Sequence, residues 1–461
     1  MRSRTIVVPV LAASLFLAGC GGAQSGDQTL TPLRADDYLG APCPDVGLRP
    51  DGDKEFTYWS MWTADEPQGR VLSKVVRCFT DKTGVKVNVQ WLGRDLLAQN
   101  VLPALSTGTV PDLFDQDITQ VRAAVDAGGT QPVDDVLDIK TGEGEQKVRD
   151  VVPAGYYDIP QNKNADGKLA QVPYLLLGGA WWYDKGAAGR AALPKTTDDL
   201  FALFDKARAD GHGAIALDGD VESANAAFFT QFALRYVGAG NLYKAATDRT
   251  GQIWRDDPGL QRAADLVEKL AQGSYLISGW DVAKSPQMQQ RWAKGDATYL
   301  YGSTAIPVET GAYLAKQGDG KSMDFGSFQL PQPDGATHRV VEQLPVGFAV
   351  PAKAKNPGAA KAFIAYALNK DNLSGLPAVA DSLTVRADLP VPNVLDDVNG
   401  ALSDPNLERA LFLDGVNSIA GGEWVSKVLY PLNDSLLKGN ISSSQFIEGL
   451  AKGSAEFWRT H

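Results

Sequence analysis

Glu55-Phe56-Thr57-Tyr58-Trp59 is the first stretch of the chain that reads as ordered structure, and the elements after it decide the fold. Its aromatic and β-branched side chains make it a strand. From Asp65 to Lys82, Val71, Leu72, Val75, Val76 and Phe79 recur at helical spacing, and Gly84 marks the end. Val85 to Trp91 alternates as a second strand, and Asp95 to Ser106 is a second amphipathic helix. After the break at Gly108 and Pro111, Asp112-Leu113-Phe114 predicts a third strand, followed by a helix from Thr119 to Ala127. Strands alternating with helices in this way imply a parallel α/β sheet. Ligands of such sheets sit beyond the carboxyl ends of the strands. Ser60 to Glu66 and Asp115 to Asp117 are therefore expected on one rim.

Upstream of this point the chain reads as an address. Arg2 and Arg4 precede an apolar run from Ile6 to Leu17, which is too short to span a bilayer and has the layout of a secretory signal. Leu17-Ala18-Gly19-Cys20 closes it and resembles a bacterial lipobox, which implies cleavage before Cys20 and lipid on that cysteine. Residues 1–19 are then a lipoprotein signal peptide. Residues 20–54, rich in Gly, Asp, Pro and Ser, read as a flexible tether. With Cys20 taken by the anchor, Cys43 and Cys78 form an even pair in an oxidising compartment, and a disulfide tying the tail to the first helix is expected; two buried free thiols are the alternative.

Composition narrows the function. Hydrophobic residues at 44% and charged residues at 21% suit a globular body with a sizeable core. The net charge of −11 becomes −13 when Arg2 and Arg4 leave with the leader. An acidic chain without a basic block is a poor partner for nucleic acid or anionic lipid. The histidines His212, His338 and His461 are scattered, and no G-x-S-x-G, H-E-x-x-H or P-loop pattern occurs. Asp218-Gly219-Asp220-Val221-Glu222 lacks the spacing of a calcium loop and reads as a solvated turn. Neither a metal nor a cofactor is expected.

Phe56-Thr57-Tyr58-Trp59, Phe79-Thr80-Asp81-Lys82-Thr83-Gly84-Val85 and Leu105-Ser106-Thr107-Gly108-Thr109-Val110-Pro111-Asp112-Leu113 resemble the opening of family 1 extracellular solute-binding proteins. The resemblance continues through Val172-Pro173-Tyr174, Trp182-Tyr183-Asp184-Lys185, Leu193-Pro194-Lys195-Thr196-Thr197-Asp198-Asp199-Leu200, Trp292-Ala293-Lys294-Gly295-Asp296-Ala297, Tyr301-Gly302-Ser303 and Val350-Pro351-Ala352-Lys353. It implies an α/β, bilobal, periplasmic-binding-protein-like fold, with a ligand cleft and hinge between two α/β lobes. It also implies a receptor, not an enzyme, that passes a carbohydrate to the permease subunits of an ABC importer. By position, the first lobe takes residues 55–177 and 330–376. The second takes 178–329 and, with the C-terminal helices, 377–461. The chain crosses near Leu176 to Trp182, Leu330-Pro331 and Pro377. The protein is expected to be an extracytoplasmic monomer, lipid-anchored to the cell membrane. A glycan-acting hydrolase using two carboxylates, or a receptor for polyols or glycerophosphodiesters, are the alternatives.

A sugar presents apolar C–H faces beside hydroxyls, so aromatic platforms and paired acceptors mark its site. Trp62 and Glu66 follow the first strand, and could equally be a core indole and an exposed helix-start acid. Gln116 and Asp117 follow the third, where Asp117 could simply cap the next helix. Of the adjacent pair Trp181 and Trp182, Trp181 is assigned to the cleft. Trp280 sits in a Gly-flanked loop, and Ser303 with Thr304 ends a strand of the second lobe. Phe348 follows Gly347 and is otherwise a core residue. Glu423 and Trp424 follow Gly421-Gly422, where backbone can approach a ligand; in the family an aromatic here commonly closes over the sugar. The other reading is an ordinary helix start.

Overall fold

The computed structural model describes residues 33–48, 50, 54–188 and 193–461. The signal sequence and Cys20 lie outside the described residues. The order of elements at the start is as the periodicity predicts. Strand β1 (Glu55–Ser60) buries alternate residues Phe56, Tyr58 and Ser60. Helix α1 (Ala35–Gly40) precedes it, and α2 (Pro67–Thr83) follows it, starting on a proline and ending at Gly84, whose φ of 75° is left-handed. Then come β2 (Lys86–Trp91), α3 (Arg94–Thr107), β3 (Leu113–Asp117) and α4 (Ile118–Asp126). Both β2 and β3 pair parallel to β1.

The remaining strands are β4 (Gln171–Asp184), β5 (Gly213–Ala216), β6 (Ala297–Ser303), β7 (Phe325–Phe328), β8 (Val340–Ala349), β9 (Leu383–Thr384) and β10 (Glu408–Leu411). The main path of the sheet runs β2-β1-β3-β8-β4-β6-β5. β4 is the pivot. Its residues Gln171 to Gly178 lie antiparallel to β8, whereas Gly179 to Tyr183 lie antiparallel to β6, and Trp181 to Asp184 to β7. One strand thus belongs to two sheet halves, and its partners change between Gly178 and Gly179. Neither glycine has spare room: a Cβ on Gly178 would sit 2.9 Å from Val398, and one on Gly179 would sit 2.3 Å from the Tyr301 hydroxyl.

The two later crossings fall further along the chain than expected. After Leu330-Pro331 the chain stays with the second half: Arg235 donates to the Leu330 carbonyl, and Val340 packs in the second hydrophobic cluster. The return is made along β8, which pairs with β10 at Val340 to Gln343 and with β3 and β4 beyond it. Pro377 is not a crossing at all. It is buried in the helix Gly375–Ala380, which packs on α2, while Leu383, Val385 and Leu389 remain in the first cluster. The chain rejoins the second half at β10. Apolar demand sets these positions, since every large side chain from Leu383 to Leu402 finds its contacts on the first side or at the pivot.

The tether is also shorter than its composition suggests. Tyr38 on α1 is 1% exposed and donates through its hydroxyl to the Asn372 carbonyl at 2.9 Å. The Tyr366 hydroxyl donates to the Pro44 carbonyl at 3.0 Å. Cys43 and Cys78 form the expected disulfide, with Cα atoms 5.1 Å apart. The polar segment is therefore docked over residues 35–48, where Leu39, Cys43, Val46 and Leu48 pack against the first cluster beside the buried Tyr38. Among the described residues, no helix is long and apolar enough to cross a membrane.

Candidate functional site

A cavity of about 460 Å³ opens where β4 changes partners. Leu177, Gly178 and Gly179 line it from β4, and Glu342 and Leu344 from β8. The second half adds Leu300, Tyr301 and Ser303 from β6, Ile306 and Glu309 from the helix Ile306–Gln317, and Asp218, Gln289 and Phe412. Across from them stands Arg94, the first residue of α3. The walls are apolar with a few convergent polar groups, which is the composition of a small-molecule site.

On the first side, the polar groups are tied together by hydrogen bonds. The Arg94 guanidinium meets Glu66 at 2.7 Å and lies 4.6 Å from the centre of the Trp62 ring. Glu66 also accepts from the Thr63 N–H at 2.7 Å, so its position is fixed. The Trp62 indole N–H donates to the Tyr174 hydroxyl at 2.6 Å, and that hydroxyl donates to Asp115 at 2.6 Å. Asp115 takes a second bond from the Met61 N–H at 2.9 Å. Burial pushes the Asp115 carboxyl up to about 6, against the pull of these donors.

The floor is a second network. Glu342 is 3% exposed and accepts from the Tyr301 hydroxyl and the Leu413 N–H, both at 3.0 Å, and from Gln231. Gln231 comes from the helix Glu222–Val237 and also donates to the Tyr301 hydroxyl at 3.0 Å. Arg235, one turn on, holds the Gln231 side-chain oxygen at 2.9 Å and so fixes which end of the amide faces Glu342. Burial also raises the Glu309 carboxyl, while Arg94 opposes that from across the cavity.

Among the expected site residues, Ser303 is in the wall, where its hydroxyl accepts the Ala305 N–H at 3.2 Å. Trp62 and Glu66 reach the cavity only through Arg94, which covers the indole and leaves it 1% exposed. Thr304 is buried, its N–H on the Gly178 carbonyl at 3.0 Å. Gln116 is buried with its side-chain oxygen on the Asp117 N–H, and Asp117 caps α4 by accepting from Thr119 and Gln120.

Several expected residues lie elsewhere. Trp181 does not face the cleft: it is 2% exposed and packed between Phe204, Phe228, Tyr301 and Phe328. The strand is covered on both faces, because Trp182 is buried on the other side. Phe348 is core, stacked on Tyr174 with centroids 4.5 Å apart. Trp424 does not close over a ligand. It is fully buried, stacked on Trp254 at 6.1 Å, and donates to Ser454 at 3.3 Å. Glu423 is outside the cavity, paired with Lys427 and 3.4 Å from His461. Trp280 is half-buried beside Leu437 and Lys438, in a separate surface pocket. Asp218 and Asp220 clamp a turn, accepting from the Met288 and Ser285 N–H groups, each at 2.8 Å. Among the described residues, no group of three His, Cys, Asp or Glu is placed to hold a metal.

Arg94, Tyr301, Glu309 and Glu342 were missed. Two left a trace. Arg94 sits at a helix start, where a cation opposes the helix dipole. Glu342 is a lone acid in Val340-Val341-Glu342-Gln343-Leu344-Pro345-Val346, an apolar run that buries it.

Residues 74–395 match the sequence family described as bacterial extracellular solute-binding protein. An uncharacterised ABC transporter extracellular-binding protein of Pyrococcus horikoshii is 22% identical over 400 residues, covering 84% of this chain and 80% of that one. The bacterial solute receptor AcbH, described as having an exclusive preference for b-D-galactopyranose, superposes with a TM-score of 0.71 at 18% identity, over 89% of this chain and 99% of that one. The GacH receptor of Streptomyces glaucescens, solved unliganded and with acarbose, gives 0.64 at 17% identity, over 89% of this chain and 100% of that one.

Proposed function

The chain belongs to the bacterial extracellular solute-binding protein family, whose members serve ABC transporters as binding proteins and not as enzymes, and from that premise we propose that it is a lipid-anchored receptor for a neutral carbohydrate. The solute lies in the cavity at the β4 crossing and is handed to the permease subunits of an importer. Cys20 carries the lipid, and the receptor works as a monomer outside the cytoplasm. The carrying observation is the cavity itself, whose walls come from both sheet halves and whose polar groups, Arg94 on one side and Tyr301, Ser303 and Glu342 on the other, are already oriented by protein partners. Hydroxyls of one solute can bond to both sides at once. That favours the arrangement in which the halves approach, which is the signal a permease can read. The galactopyranose and acarbose named for the two structural relatives make carbohydrate the first class to test.

A thermal-shift screen of the mature chain against D-galactose, D-glucose, D-xylose, maltose and cellobiose tests this reading. A ligand present at about 100 times its dissociation constant adds ~2.7 kcal/mol. Stabilisation by one of these sugars, with no turnover of glycan substrates, supports a receptor. A flat response to all of them and to longer oligosaccharides removes the carbohydrate assignment.

A further inference from the structure

The carboxyl group on the cavity floor is more specific than its neighbours. A carboxylate offers four lone-pair positions. For Glu342, the Tyr301 hydroxyl and Gln231 occupy those of Oε2, and the Leu413 N–H takes one of Oε1. Among the described residues, no protein donor takes the last Oε1 position. None of the three donors can turn round. Gln231 is fixed by Arg235, which leaves Tyr301 only the role of donor to Glu342, and the third is a backbone N–H.

We propose that Glu342 is the specificity-determining residue of the cavity, accepting a hydroxyl or N–H of the solute at its last Oε1 position, which in the empty receptor is the position a proton takes. This rests on the reading of the cavity as the solute site. Solute and proton then compete for one lone pair: the O–H of the acid is lost to buffer as the solute's donor replaces it. The surroundings agree. Burial pushes the Glu342 carboxyl up to about 7, against Tyr301, Gln231, the Leu413 N–H and the charge of Arg235. On the neighbouring elements, Ala410 of β10 is its register partner, and Asp414 turns its carboxylate to the N–H groups of Gly240 and Leu242. The other charged groups of the cavity wall are Asp218, Glu309 and Arg94.

The test uses the mature chain, with the tightest of D-galactose, D-glucose, D-xylose, maltose and cellobiose as the probe. Titration calorimetry at pH 6 and pH 8, in two buffers of different ionisation enthalpy, reads affinity and proton release together. With the carboxyl near 7, affinity should rise about tenfold between these pH values, with net proton release at pH 6. Glu342→Gln should bind at least tenfold more weakly at pH 8 and lose the pH dependence; its cooperative melting is checked first. Tyr301→Phe removes one donor to the carboxylate, so it should still bind, with the pH midpoint moved upward. A wild-type affinity equal at both pH values, or an unchanged profile in Glu342→Gln, overturns the inference and leaves the receptor assignment standing. Failure of every probe to bind counts against the receptor assignment first, and this inference goes with it.

Discussion

The Arg94 guanidinium lies 4.6 Å from the centre of the Trp62 ring while it is bonded to Glu66 at 2.7 Å, so this face of the indole is covered by a cation and not by solvent. Among the cavity-wall residues, Arg94 is the sole cation. With about half its side chain exposed, the ion pair contributes little to stability, on the order of 0.2–1 kcal/mol. Arg94→Ala should therefore melt close to wild type. It should also red-shift tryptophan emission by opening one face of Trp62, and should weaken sugar binding about tenfold or more, as expected for a lost charged hydrogen bond of ~1.5–3 kcal/mol. Unchanged affinity in calorimetry would remove Arg94 from the site.

The buried acids give stability a definite pH dependence. Burial pushes Asp115 and Asp414 up to about 6 and Glu342 up to about 7. Each holds its proton more tightly folded than unfolded, so the folded chain binds more protons between the ordinary carboxyl range and about pH 7. Stability from these groups is complete below that range and is lost as pH rises through their folded values. Asp388 acts in the opposite sense: the Arg386 side chain lowers it to about 2, and its contribution is lost only in strong acid. Unfolding free energy from denaturant titration should thus fall from about pH 5 to pH 8. Asp115→Asn should reduce that slope, and an identical slope would show that Asp115 does not titrate in this window.

What the sequence made legible follows from what each side chain has to satisfy locally. The alternation from Glu55 to Ala127, the disulfide between Cys43 and Cys78, and the partner change beside Gly178-Gly179 are local features: periodicity, an even thiol pair and a glycine break in an apolar run. The indoles were different. Trp181 and Trp424 have the same local pattern whether they face a sugar or a core, and the choice is made by distant residues, Phe328 for one and Trp254 for the other. Pro377 misled for a related reason, since proline at the start of a helix looks like a break. The cavity floor takes Tyr301 and Glu342 from two strands, and Gln231 and Arg235 behind them come from a third element, so no short-range pattern links the carboxylate to its partners.

Trp424→Ala separates a core role from a ligand role. The side chain is fully buried, stacked on Trp254 and bonded to Ser454. Truncation leaves a large cavity beside Trp254, which still donates to the Ser454 hydroxyl at 3.1 Å, at a cost of ~3–5 kcal/mol. Denaturant midpoints should drop accordingly, while sugar affinity measured well below the melting temperature should stay within about twofold of wild type. Selective loss of affinity with stability retained would return Trp424 to the binding site.

Gly179→Ala probes the link between the chain crossing and the cavity floor. The added methyl carbon would sit 2.3 Å from the Tyr301 hydroxyl, far inside contact distance. That hydroxyl cannot swing away freely, because it donates to Glu342 and accepts from Gln231, each at 3.0 Å. Overpacking of this kind costs ~1–3 kcal/mol, and moving Tyr301 also disturbs the carboxylate it orients. The variant should be destabilised by that amount and should bind sugar more weakly. Adding Tyr301→Phe removes the clashing oxygen, so the double variant should recover part of the lost stability without recovering the wild-type pH midpoint of binding. A double variant whose stability loss is the sum of the two single losses would show that the methyl group and the hydroxyl do not meet.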